Sequence, residues 1–189
     1  MQNRIYVLDG QDRCGKSTTV DILRNLISNP RILVIHSSKP PKGIKDTDVW
    51  STSYYDNLIQ HVCDSVKQGY DVILDRSWLG ETVYGPMYRN DNIPLSRLEY
   101  LLSVKSNNDL VTNDIIRMLV LVDDASSIAD RDDGLSMSEE LNKLEAERTK
   151  FKESFEKSII RHKELIDWSY ETFSKDILTE IIKTELLND

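Results

Sequence analysis

Short, fully apolar runs alternate along this chain with stretches whose apolar residues recur every three or four positions. Ile5-Tyr6-Val7-Leu8 is a compact β-rich run and reads as a buried strand. Between Thr18 and Ile27 the apolar residues Val20, Leu23, Leu26 and Ile27 keep helical spacing. Residues 31–36, centred on Ile32-Leu33-Val34-Ile35, read as a second strand. Residues 51–67 read as a helix with Tyr55, Leu58, Ile59, Val62 and Val66 on one face, and Gly69 supplies its C-cap. Val72-Ile73-Leu74 is a third strand, residues 95–104 a helix, and Met118-Leu119-Val120-Leu121-Val122 a fourth strand. The spacing of Leu144, Phe151, Phe155, Ile159 and Ile166 predicts one long helix over residues 141–168. Ile177, Ile181, Ile182 and Leu186 predict a last amphipathic helix. Alternating elements with fully apolar strands predict an α/β fold with a parallel central sheet flanked by helices on both faces. Such sheets bind ligands at the carboxyl ends of their strands.

The first such strand end carries the most specific motif. Gly10-Gln11-Asp12-Arg13-Cys14-Gly15-Lys16-Ser17 fits G-x-x-x-x-G-K-[ST], and it lies between a predicted strand and a predicted helix. Backbone N–H groups of such a loop converge on phosphate, and the following helix adds its positive dipole end. Residues Gly10 to Thr18 are therefore expected to cradle a nucleoside triphosphate. Lys16 would reach its terminal phosphates and the Ser17 hydroxyl would meet Mg²⁺. Cys14 stands near a helix N-terminus, where a thiolate is favoured. It also fits as a small residue filling the loop.

Composition narrows the classes. With 189 residues, 39% hydrophobic and 30% charged, the chain has the make-up of an ordinary globular domain. No apolar run nears the ~20 residues of a membrane span, and no signal pattern opens the sequence, so a cytoplasmic protein is expected. Two cysteines do not form a disulfide framework. A formal charge of −8 argues against a broad nucleic-acid surface but leaves room for small anions in a locally basic pocket.

A second constellation follows the third strand. Asp75 suits the acidic position that supports Mg²⁺ beside a P-loop, and Arg76 suits a second phosphate or carboxylate. Together, Leu8 to Thr18 and Gln68-Gly69 followed by Val72-Ile73-Leu74-Asp75-Arg76 resemble the thymidylate kinases, in the type with Asp-Arg inside the P-loop. The likeness is closest over residues 4–27 and 58–85. It implies a P-loop kinase with a short lid, a single domain over residues 1–189, ATP and Mg²⁺ as cofactors, a small nucleotide substrate and a homodimer. By the same resemblance Arg13 stabilises charge on the transferred phosphoryl group, and Asp12 accepts a hydrogen bond from the acceptor's sugar. Asp75 supports Mg²⁺ and Arg76 grips the acceptor monophosphate.

The chain departs from that family at the base. The family's base-reading arginine has no counterpart, because no arginine lies between Arg31 and Arg76. Trp50, Tyr54 or Tyr55 would offer a ring for stacking instead. Lys39 and Lys42 are placed to meet the acceptor phosphate, and Glu81, Tyr84 and Arg89 to shape its pocket. Residues 125–138, with Arg131 and Gly134, form the lid candidate. Arg131, or less so Arg148 on the next helix, is its catalytic candidate. Asp75-Arg76-Ser77 also resembles a motif of deoxyribonucleoside kinases. The leading expectation is ATP-dependent phosphorylation of a deoxynucleoside monophosphate, dTMP or a related or modified pyrimidine, to the diphosphate; the alternatives are a deoxynucleoside kinase, a kinase acting on DNA or a modified base, and a P-loop switch without transfer activity.

Overall fold

A computed structural model describes residues 3–89, 91–106, 115–131, 140–170 and 173–188. Its five strands form one all-parallel sheet: β1 (Ile5–Gly10), β2 (Ile32–His36), β3 (Asp71–Asp75), β4 (Ile116–Val122) and β5 (His162–Asp167), in the order β2-β3-β1-β4-β5. The helices are α1 (Lys16–Leu26), α2 (Thr47–Lys67), α3 (Trp78–Tyr84), α4 (Leu95–Lys105), α5 (Ala125–Asp130), α6 (Leu141–Lys157) and α7 (Lys175–Ile181). A π-helical turn, Gly85–Arg89, continues α3, and another, Ile182–Leu187, continues α7. Among the described residues no helix is long and apolar enough to cross a membrane.

Apolar side chains alternate between the two faces of β1, as the strand's period of two requires. Ile5 and Val7 pack with Leu58, Ile59, Trp78, Leu102 and Phe151 on one face. Tyr6 and Leu8 pack with Leu23, Ile128, Trp168 and Leu178 on the other. The expected helix-covered parallel sheet is therefore present.

The long helix over residues 141–168 is not. It stops at Lys157, and residues 162–167 are an edge strand. Two side chains enforce the stop. Buried Glu99 of α4 accepts from Ser158 Oγ and from the Ile159 N–H (3.1 Å), drawing that amide out of the helical ladder. Lys163 Nζ donates to the carbonyls of Phe155 (2.6 Å) and Ser158 (2.8 Å), satisfying groups the helix end leaves open. The strand His162-Lys163-Glu164-Leu165-Ile166-Asp167 is polar because it lies at the sheet edge, where charge discourages further pairing. Helix α3 likewise carries no strong periodic signal. Ser77 starts it by accepting from the Leu79 N–H at 3.1 Å.

Candidate active site

β1, β3, β4 and β5 each have an aspartate within one residue of their end: Asp9, Asp75, Asp123 and Asp167. The parallel register sets Leu8 beside Asp75, Gly10 beside Leu121, and Val122 beside Asp167, so these ends share one edge. The P-loop leaves that edge pressed against β4. A Cβ on Gly10 would lie 1.9 Å from the Leu121 carbonyl oxygen, and its φ is 124°, so only glycine fits.

Gln11 ties the loop down. Its buried amide donates to the Leu144 carbonyl (2.8 Å) and accepts from the Asp123 N–H (3.0 Å). The Gln11 side chain therefore positions the loop. Lys16 Nζ lies over the loop, donating to the Gly10 carbonyl at 2.9 Å and 3.7 Å from Asp12 Oδ1. Cys14 is fully buried, and burial pushes its thiol up to about 12. It is a packing residue, and the thiolate that its helix N-terminal position favoured is suppressed by desolvation. Thr18 continues into α1 beside exposed Ser17.

Among the described residues, the non-glycine positions with left-handed φ are Arg13 (65°) and Arg76 (66°). These are the two arginines that the sequence marks for phosphate chemistry. Left-handed φ costs such residues roughly 1–3 kcal/mol, and such strain concentrates at functional sites. Arg13 Nη1 donates to the Ile128 carbonyl at 2.7 Å, which joins the P-loop to α5. Arg76 Nη2 donates to Asp12 Oδ1 at 2.7 Å, which joins β3 to the P-loop.

A cavity of about 360 Å³ opens beside that ion pair. Asp12, Lys39, Tyr55, Arg76, Glu81 and Tyr84 line it, together with Asp9 and Arg89. Trp50, Tyr54 and Lys42 do not. The Trp50 ring stacks on Tyr54 at 4.8 Å, and the Tyr54 hydroxyl accepts from the Ser38 N–H at 2.9 Å, so this pair braces the loop after β2. Trp50 and Tyr54 are thus support for the pocket rather than its stacking face. Asp75 also lies outside the cavity, 2.7 Å from His36 Nδ1 through Oδ2. Its Oδ1 is buried without a hydrogen-bond partner.

The Asp75 oxygen and the Ser17 hydroxyl fit Mg²⁺, which takes few protein oxygens and completes its shell with water and phosphate. Among the described residues no cluster of three or more His, Cys, Asp or Glu side chains forms a dedicated metal cage.

Four site residues carried no assignment from the sequence. Asp9 is fully buried, and its Oδ2 accepts from the Ser77 N–H (2.9 Å), the Ser77 hydroxyl (2.6 Å) and the Gly80 N–H (2.9 Å). Burial raises its carboxyl despite these donors. An acid closing an otherwise apolar strand was its only sequence signal. Glu147 of α6 accepts from the Tyr88 hydroxyl, and burial pushes its carboxyl up to about 7, with the nearby Asp12 charge adding to the rise. Its sequence signal is spacing: three residues after Leu144 and four before Phe151, Glu147 falls on the buried stripe of α6. Trp168 and Phe173, edge to face at 5.1 Å, flank the P-loop, where Trp168 Nε1 donates to the Cys14 carbonyl at 3.2 Å.

The described part of the lid candidate is α5, capped by Asp124, whose carboxylate accepts from the Ser127 N–H at 2.9 Å. Arg131 pairs with Asp123, the residue just past β4, at 2.5 Å. Gly134 and the rest of that segment lie outside the described residues. Arg148 is bound to Asp167 at 2.7 Å and holds α6 to the end of β5. Burial alone would raise Asp167, but Lys152, Arg148 and Ser169 outweigh it and bring the carboxyl down to about 2.

This sheet order and P-loop setting define a P-loop kinase fold. Solved structures agree at low sequence identity. Thymidylate kinase from Candida albicans matches with a TM-score of 0.65 and 21% identity, over 97% of this chain and 92% of that one. The YorR protein of Bacillus subtilis, solved with phosphorylated GDP, matches with a TM-score of 0.64 and 17% identity, over 95% and 93% of the two chains. A sugar kinase from Janibacter matches with a TM-score of 0.60 and 14% identity, over 97% and 94%. No protein-family model and no curated protein sequence matches the chain.

Proposed function

We propose that this chain transfers the γ-phosphoryl group of ATP to a deoxynucleoside monophosphate. The Arg76–Asp12 ion pair carries the reading. It puts a guanidinium of the acceptor cavity in contact with a side chain of the donor loop. A P-loop switch needs no such second cavity.

An oxygen of the acceptor phosphate forms the new bond to the γ-phosphorus. The bond from that phosphorus to the β–γ bridging oxygen breaks, leaving ADP and a nucleoside diphosphate. Catalysis of this step is mainly positioning and charge neutralisation. Lys16 and the loop N–H groups hold the donor, Arg13 meets charge on the moving group, and Arg76 with Lys39 holds the acceptor phosphate. Bound Mg²⁺ supplies further neutralisation of phosphate charge; Ser17 and Asp75 would hold it. Helix α5, the described part of the lid candidate, is tied to the P-loop by Arg13, where it would help exclude water and protect ATP from hydrolysis. Two copies of the chain would form the homodimer that the family resemblance implies, which sedimentation velocity tests.

Purified protein should convert ATP and a deoxynucleoside monophosphate to ADP and the diphosphate. Arg13→Ala should lower turnover roughly 10³-fold while changing ATP affinity less than about tenfold. Inactivity on every deoxynucleoside monophosphate overturns the proposal. Transfer to nucleosides lacking the 5′-phosphate would make the chain a nucleoside kinase instead.

A further inference from the structure

The wall of the acceptor cavity against α2 is built from charge. Glu81 is 4% exposed and accepts from Arg89 Nη2 through Oε1 at 2.6 Å. Its Oε2 has a long contact, 3.5 Å, from the Tyr55 hydroxyl, and the Ser51 hydroxyl adds a further hydrogen bond to the carboxylate. Arg89 is claimed on its other side by Asp91 Oδ2 at 3.3 Å, an atom that also accepts from Ser51 Oγ at 3.1 Å. Two nearly buried carboxylates therefore face one guanidinium. A carboxylate only accepts hydrogen bonds and has about four lone-pair sites. Arg89, Tyr55 and Ser51 supply three donors, so Glu81, which lines the cavity, keeps about one lone-pair site open in a wall where two carboxylates share one guanidinium. Leaving that capacity unmet when a ligand expels water is costly.

Nucleobase edges differ in what they offer such a wall. Cytosine and adenine present an exocyclic amino group, a two-proton donor, beside a ring-nitrogen acceptor, and guanine presents its amino group beside a ring N–H donor. Thymine and uracil present a single ring N–H flanked by two carbonyl oxygens, whose lone pairs a carboxylate repels. The remaining N–H groups of Arg89 can serve the acceptor next to an amino group. Tyr55 and Tyr84 give the cavity aromatic surface for the ring.

We infer that the acceptor nucleotide carries an exocyclic amino group on its base, and that Glu81, braced by Arg89, selects it. The inference rests on the nucleotide-kinase reading above and deepens it. It also supplies a base-reading pair from α3 and the turn after it, where α2 has no arginine to offer.

The test compares kcat/KM of the full chain, with ATP and Mg²⁺, on dCMP, dGMP, dAMP, dTMP and dUMP. The best amino-bearing acceptor should exceed dTMP and dUMP by roughly 100-fold, as expected when a polar site meets an unmatched edge. Which amino-bearing base leads separates a pyrimidine from a purine site. Glu81→Gln, whose amide can donate to a carbonyl, should narrow that ratio at least about tenfold without changing KM for ATP. Equal or better use of dTMP overturns the inference and leaves the kinase reading standing. An equal loss on all acceptors in Glu81→Gln overturns it as well, since Glu81 would then be only structural. Thermal shifts of the wild-type chain with each monophosphate alone give a readout independent of variant folding. Stabilisation by dTMP as large as by the amino-bearing bases is also an overturning result. Inactivity and no shift with any of the five removes both readings together.

Discussion

Arg76 shows how single residues here trade stability for chemistry. Its backbone is left-handed, and its guanidinium pairs with Asp12 at the wall of the cavity proposed to hold the acceptor. Arg76→Gly removes the strain and a half-exposed ion pair, which roughly offset, so stability should hold within about 1 kcal/mol. Acceptor kcat/KM should fall about 100-fold or more, as steady-state kinetics with varied monophosphate would show. Gly80 is the opposite case, fixed by space. A Cβ there would lie 2.4 Å from Asp9 Oδ1, so Gly80→Ala should cost about 1–3 kcal/mol in urea unfolding by displacing the buried carboxylate. Glu147 supplies a pH test. Its folded value of about 7 exceeds the ordinary 4.5, so the folded chain keeps a proton that the unfolded chain releases. That contribution is fully present below the unfolded value and is lost as pH rises through the folded one. Glu147→Gln should therefore melt above wild type at about pH 8, with the gap closing toward about pH 5.

At the scale of elements, the site depends on cross-ties between segments far apart in the chain. Gln11 bridges the P-loop to β4 and α6. Gln11→Ala strands a buried N–H and a buried carbonyl, so it should cost about 2–3 kcal/mol and weaken ATP binding. Denaturant midpoints and calorimetric titration would check both effects. Arg13 on the Ile128 carbonyl makes α5 part of the same assembly. The misread of residues 141–168 belongs to this scale too. Leu144, Phe151 and Phe155 do form a helical stripe, but the ending is imposed by Glu99 from α4 and Lys163 from β5, neither of which periodicity can sense.

For the whole molecule, burial raises Asp9, Glu81, Glu99 and Glu147 together. All four favour the folded state more as pH falls toward their unfolded values, so maximal stability is expected on the acid side of neutral. Melting temperature across pH should show it, with Asp167 working in the opposite sense below about pH 4. Four of the five strands were legible from apolar runs: β1, β3 and β4 because central strands of a parallel sheet are buried on both faces, and β2 because this edge strand keeps the apolar run Ile32-Leu33-Val34-Ile35. The P-loop and Asp75-Arg76 were legible because phosphate binding by backbone needs glycines at fixed offsets. By itself the sequence determined the layered α/β class and the triphosphate loop, both set by local spacing. Only tertiary structure decided that β5 is a polar edge strand, that Trp50 and Tyr54 brace rather than line the pocket, that Asp9 lines it, and that Glu81 and Arg89 pair with each other in its wall. These outcomes depend on contacts between segments distant in sequence, which fix burial, and burial is what turns an ordinary carboxylate into a selective one.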